Sequence, residues 1–384
     1  LLLGDWQYDT TPEGPHAFRY RLDAPRHIRL QEQGKTVGHL RQTGPGCEGR
    51  YLLDLPVHWS CTLADLTLTP EGGSTSTAPL QIRELTWQQT TELADTRLDS
   101  VARQAISGVV INLPDGRGLT IERASLDSRV TDVPLAEVER LQALTQNATD
   151  SPSDQQKAAA AALLMDLLSE ITLTGDYELE GVSFVQGGTR GLVLERLALT
   201  LGHGPRAGHG RLNTRLDLAG LTSPAMRLPP AMQPLATQIA ITLDGLPWRP
   251  LAQALRNGEA TALDDAPNAW VEQALQRPDA LPIVLAIDTF TLNAASMAVE
   301  LSGSLDLTAL QRTAAADTDA DNADAVAGRF AGQVRGVEGW IADNPEVAQQ
   351  DPRILGLNAM LKLFGRAAGE DVLDYDIQIG ADRK

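Results

Sequence analysis

The stretch from Leu281 to Leu307 constrains the fold most. Leu281, Ile283, Leu285 and Ile287 alternate with Pro282, Val284, Ala286 and Asp288, and after Thr289 the phase slips so that Phe290 and Leu292 carry the apolar positions. Asn293-Ala-Ala-Ser296 reads as a turn. Met297, Val299, Leu301, Leu305 and Leu307 then alternate with Ala298, Glu300, Ser302, Ser304 and Asp306. Side chains of a strand point to opposite faces in turn, so this pattern predicts a long hairpin with one apolar and one polar face.

The same pattern recurs along the chain. Phe18, Tyr20 and Leu22 alternate with Arg19, Arg21 and Asp23. Val109 to Leu113, the turn at 114–118, and Leu119 with Ile121 predict a hairpin whose phase slips near Arg123. Ile171, Leu173, Tyr177 and Leu179 begin another strand. Leu192 and Leu194 begin the next, which slips at Arg196 before Leu197, Leu199 and Leu201 continue. Arg117-Gly-Leu-Thr-Ile-Glu-Arg123 is echoed by Arg190-Gly-Leu-Val-Leu-Glu-Arg196, a short internal repeat. Phase slips mean bulges and curvature.

Helical spacing interrupts the strands in a few places. Pro134 to Gln146 predicts one helix and Gln155 to Glu170 a second, with Leu163, Leu164, Leu167 and Leu168 at helical spacing. Pro250 to Arg256 and Ala266 to Gln276 predict short helices, and Asn344 to Phe364 a mainly helical segment stopped at Gly365. The expected fold is mainly β (α+β). Long, curved antiparallel strands form a barrel-like or groove-like body with several covering helices. The expected organisation is a β-rich half over 1–133, a helical connection over 134–170, and a second β-rich half with helices over 171–384.

Hydrophobic residues make up 42% of the 384 and aromatics only 4%, so the apolar faces are aliphatic. The net charge of −18 repels phosphate backbones and, with Lys and Arg scattered, argues against nucleic-acid binding. The two cysteines, Cys47 and Cys61, flank a short loop and predict a disulfide formed in an oxidising compartment. The start at Leu1-Leu-Leu-Gly-Asp-Trp6 reads as the stub of an apolar segment, a cleaved signal or an anchor. Together these point to a periplasmic protein, tethered to the inner membrane or processed from a signal peptide.

Candidate chemistry is sparse. Asp317, Asp319, Asp321 and Asp324 partly follow the alternation of a calcium loop. Asn322 stands where such a loop needs Gly, however, and Gly328 where it needs Glu, so a solvated acidic linker is the competing reading. His203 and His209 lie in the glycine-rich segment 202–210, read as an exposed hairpin turn. The six Trp residues are spread through the sequence, where they could stack on sugars or pack in the core. There is no nucleophile elbow, phosphate loop or dinucleotide fingerprint. No catalytic residue and no cofactor beyond calcium is expected.

The second half resembles a known pattern, carried by 211–221, the Leu228-Pro-Pro230 connection, 239–248, 299–307, 328–337 and 374–379. It resembles a family of uncharacterised bacterial envelope proteins (domain of unknown function 2125) and, more loosely, the AsmA-like proteins. The first implies export, an N-terminal membrane tether and a β-rich body. The second implies lipid handling through an apolar β groove. Three functions are therefore weighed: a non-enzymatic envelope protein binding or transferring lipid or another apolar ligand; a structural or partner-binding module with a filled core; and a carbohydrate-active or metal-dependent enzyme.

Overall fold

The computed structural model describes residues 2–3, 7–14, 17–32, 35–52, 55–71, 79–113, 115–146, 153–186, 189–206, 209–223, 235–256, 282–294, 296–307, 326–346 and 352–380. They form one antiparallel sheet of nineteen strands and five helices. The strands are β1 (Leu2–Leu3), β2 (Gln7–Gly14), β3 (Ala17–Asp23), β4 (His27–Glu32), β5 (Lys35–Arg41), β6 (Gly46–Leu52), β7 (Leu55–Pro70), β8 (Leu80–Ala94), β9 (Arg97–Asn112) and β10 (Arg117–Pro134). After helices α1 (Leu135–Gln146) and α2 (Asp154–Leu168) come β11 (Thr172–Gln186), β12 (Thr189–Arg206), β13 (His209–Leu221) and β14 (Leu235–Leu246). Helix α3 (Trp248–Arg256), β15 (Val284–Asn293), β16 (Ala298–Asp306), β17 (Val326–Arg335), α4 (Val337–Asp343), α5 (Pro352–Phe364), β18 (Arg366–Gly369) and β19 (Val372–Gly380) complete the order.

From β7 onward the sheet is a meander in which each strand pairs with the next in sequence, up to β17, which pairs with β19, and β19 with β18. The other edge of β7 is shared. Leu55 to Thr62 pairs with β6, which leads on to β3 and β2, while Thr67 to Pro70 pairs with β5, which leads on to β4 and β1. Among the described residues the edges do not pair, so the sheet is not closed into a barrel and is consistent with a curved groove. The sheet crosses the helical connection unbroken, because β10 pairs with β11 directly.

Four of seven successive strands leave the extended conformation at one level. Asp65, Gly108, Gly181 and Gly220, on β7, β9, β11 and β13, have positive φ of 49°, 61°, 61° and 67°. Arg83, Glu122 and Glu195 stand at the same level on the strands between, and the paired registers skip this level from β8 to β13. The apolar positions change parity here: Leu119 and Ile121 give way to Ala124 and Leu126, and Leu192 and Leu194 to Leu197 and Leu199. A residue outside the extended region turns the following side chains over, so the change of parity keeps the apolar set on one face. The short sequence echo falls here, and Gly108-Val109 and Gly181-Val182 precede its two copies at the same spacing. A second bulge sits at Asp288, whose carboxylate accepts a hydrogen bond from Thr242 Oγ1 at 2.6 Å.

The helices differ in detail from expectation. Asn344 caps the C-terminal end of α4, so the segment expected from 344 holds a helix boundary, with α5 following. Ser153 caps α2: its hydroxyl accepts from the Gln156 N–H while the Gln156 side chain accepts from the Ser153 N–H. Helix α2 packs on α3 through Ala161, Ala162, Ala252 and Leu255, at one end of the strands. The helix expected at 266–276 and the acidic segment 313–324 lie outside the described residues.

Candidate functional site

The pairing registers place the apolar residues in rows across the strands. One row runs Trp87, Gln104, Leu126, Tyr177, Leu199, Leu216, Ile239, Phe290, Leu301, Gly332, Tyr375. The next runs Leu63, Leu85, Ile106, Ala124, Leu179, Leu197, Leu218, Thr237, Leu292, Val299, Val334, Leu373. At about 4.8 Å per strand spacing, this second row is about 50 Å long. A third runs Leu201, Thr214, Ile241, Ile287, Gly303, Phe330, Ile377.

The alternate positions hold charge. Arg103 lies 3.7 Å from Asp127, Arg196 pairs with Glu178 at 2.5 Å, and Arg215 with Asp217 at 2.8 Å. Arg329 grips Asp376 with two nitrogens at 2.8 and 2.6 Å, which lowers the Asp376 carboxyl below its usual range and raises the Arg329 guanidinium. One face is thus a solvated ion-pair ladder and the other is aliphatic.

Among the described residues, the aliphatic face has no facing layer. Tyr177 is 41% exposed, Leu212 37% and Ile377 49%; among the described residues no large side chain is less than 2% exposed, and Ala162 and Ala252, at 1% and 0%, belong to the α2–α3 contact and not to the sheet. A globular core would bury the long side chains of both rows. Where β9 to β12 meet, the face forms a concave pocket of about 300 Å³ lined by Gln104, Ile106, Ala124, Leu126, Tyr177, Leu179, Leu197 and Leu199, with Ser125 and Glu178 completing it. That is the lower end of the range for small-molecule sites, and its lining is nearly all hydrocarbon.

At the N-terminal end of the face the aliphatic surface becomes aromatic. Phe18 stacks on Tyr51 at 5.0 Å between ring centres, Tyr51 and Trp59 each lie 5.1 Å from Tyr20, and Trp59 lies 5.8 Å from Trp87. Cys47 and Cys61, directly opposite on β6 and β7, are disulfide-bonded beside this cluster. The tryptophans are scattered in the sequence; the signal for the cluster lies in the alternation of Phe18 with Tyr20 and in the pairing of their strand with that of Tyr51.

The segment 202–210 is not an exposed turn. Strand β12 continues to Arg206 and β13 begins at His209, which pairs with Arg206. His203 is 6% exposed; its Nε2 donates to the Leu168 carbonyl at 2.6 Å, and its ring meets Trp248 edge-on at 5.9 Å. It fastens α2 and α3 to the sheet. His209 does not join it in a ligand set: among the described residues no three His, Cys, Asp or Glu side chains are placed to hold a metal ion. Asp317, Asp319, Asp321 and Asp324 lie outside the described residues.

No family model, no curated protein and no solved structure matches this chain. Among the described residues, no helix is long and apolar enough to cross a membrane.

Proposed function

We propose that this chain is an exported, non-enzymatic envelope protein that shelters the acyl part of a lipid on the apolar face of its sheet. The observation that carries the reading is the largely aliphatic surface of the rows through Tyr177 and Leu179, which has no facing layer among the described residues and is indented between β9 and β12. Hydrocarbon laid along such a surface gains about 0.8 kcal/mol for each methylene removed from water. The surface offers few polar groups to orient a substrate, which favours a carrier over an enzyme. The Cys47–Cys61 bond and the resemblance of 171–384 to envelope proteins support export.

The test is mass spectrometry of an organic extract of natively purified protein, beside a mock purification. Stoichiometric lipid in the extract is the expected result. A clean extract, both as purified and after incubation with envelope phospholipids, would overturn the reading in favour of a partner-binding module.

A further inference from the structure

The apolar face changes character between β8 and β11. One step along the strands from Trp87, Gln104, Leu126 and Tyr177, toward the end held by α2 and α3, the same face carries Gln89, Ala102, Ser128 and Gly175. The step after that carries Thr91, Ser100 and Val130. These side chains meet on the face: Gln89 Nε2 donates to Ser100 Oγ at 3.2 Å, and the Thr91 and Ser100 hydroxyls lie 3.3 Å apart. Tyr177 leans back over Gly175, where an added Cβ would lie 3.3 Å from its ring and 3.9 Å from its hydroxyl oxygen. The result is a patch of hydroxyls and amides that begins about 7 Å along the strands from the pocket row. Ala102 and Gly175 leave room above it, and Gln104 and Tyr177 stand on its border with the pocket.

The patch is polar without being charged. The alternate positions that share this face, Leu85 to Leu93, Leu98 to Ile106, Ala124 to Val130, Leu173 to Leu179 and Leu197 to His203, hold no Asp, Glu, Lys or Arg. The ionic residues of these strands stand on the other face, where Arg103 is matched with Asp127 and Arg196 with Glu178. A carboxylate or phosphate laid on the patch would lose its water with no cation to receive it, in a chain of net charge −18. A hydroxyl, in contrast, meets groups that both donate and accept. Gln104 and Ser128 have no hydrogen-bond partner among the described residues, so their capacity is open to a ligand.

We propose that the groove prefers lipids whose head group is an uncharged polyol, glycerol or a sugar. The head group sits on Gln89, Ser100, Gln104 and Ser128, and the acyl chain runs from there into the pocket toward Leu197 and Leu199. The proposal rests on the acyl reading of the groove and adds to it the class of lipid and its orientation.

The test is displacement of a fluorescent acyl probe from the full chain by compounds of equal chain length: monodecanoylglycerol, decyl glucoside, decanoate, decyl phosphate, and decanol as the reference for the chain alone. At least one of the two polyol compounds is expected to act at a concentration at least about tenfold lower than decanol, and the better of the two names the head group. Decanoate and decyl phosphate are expected to do no better than decanol. The double variant Gln104→Leu, Ser128→Ala is expected to lose most of the polyol advantage over decanol. Its thermal unfolding is expected to be unchanged, because the substitutions break no hydrogen bond among the described residues. Ser128→Lys is expected to bring decanoate and decyl phosphate ahead of decanol. The proposal is overturned, with the acyl reading left standing, if the charged compounds or decanol displace the probe as well as the polyols do, or if the double variant keeps the full advantage. If neither the probe nor any decyl compound binds, the acyl reading falls and the proposal with it.

Discussion

Glu122 of β10 lies across the backbone of Gly181 of β11, so that a methyl group added at Gly181 would overlap the Glu122 side chain. Gly181 also has φ of 61°, a conformation that L side chains rarely adopt. Gly181→Ala is therefore expected to destabilise the protein by about 2 kcal/mol, from backbone strain and the displaced glutamate together. Gly191→Ala serves as the control, because a Cβ there meets nothing nearer than 3.5 Å. Denaturant unfolding of the two variants checks this; equal midpoints would show that the bulged level tolerates a side chain.

The Cys47–Cys61 bond closes a loop with a sequence separation of 14. Cross-linking a loop of that size restricts the unfolded chain by about 3 kcal/mol. Reduction, or the double substitution Cys47→Ser, Cys61→Ser, is expected to lower stability by about that amount, read as a shift of the urea midpoint.

A charge on the groove floor should exclude hydrocarbon. Leu199→Asp stands between Tyr177 and Leu216 in the first row, and is expected to weaken binding of a fluorescent fatty-acyl probe at least about tenfold, or about 1.4 kcal/mol. Because Leu199 is only half-buried, circular dichroism is expected to show an intact sheet. Undiminished probe binding by a folded variant would remove the pocket from the binding surface.

The Arg329–Asp376 pair gives an acid-sensitive contact. Its Asp376 carboxyl is lowered, first by the hydrogen bond from Arg329, so the folded state binds that proton less readily than the unfolded chain. The contribution is present above the ordinary carboxylate range and is lost as pH falls through the folded value. Asp376→Asn is expected to lower the melting temperature slightly near neutral pH and by progressively less as pH falls below the ordinary carboxylate range. A difference independent of pH would show that the pair contributes nothing through its charge.

Much of this fold was legible because one face is apolar. Alternation at Leu281–Leu307 and the phase slip after Thr289 correspond to β15, β16 and the bulge at Asp288. Strand β9 was read only from Val109, because the stretch from Arg97 to Gln104 is too polar to show alternation by itself; its pairing with β8 and β10 supplies what composition withholds. The extent of β12 was hidden by Gly202, Gly204 and Pro205, turn-forming residues that sit here in a ladder. The openness of the groove was not legible at all. Period-2 patterning says which side chains share a face, and is silent on whether another layer covers it.

The line of bent residues from Asp65 to Gly220 bears on ancestry. Residues with positive φ occupy every second strand, and the strands between carry Arg or Glu at that level. A single inserted strand would set two like partners side by side and break the line. Two strands inserted together preserve it. A sheet of this kind keeps its line of bends only when it lengthens by whole hairpins, and Arg117–Arg123 and Arg190–Arg196, which echo each other, lie two strands apart on β10 and β12.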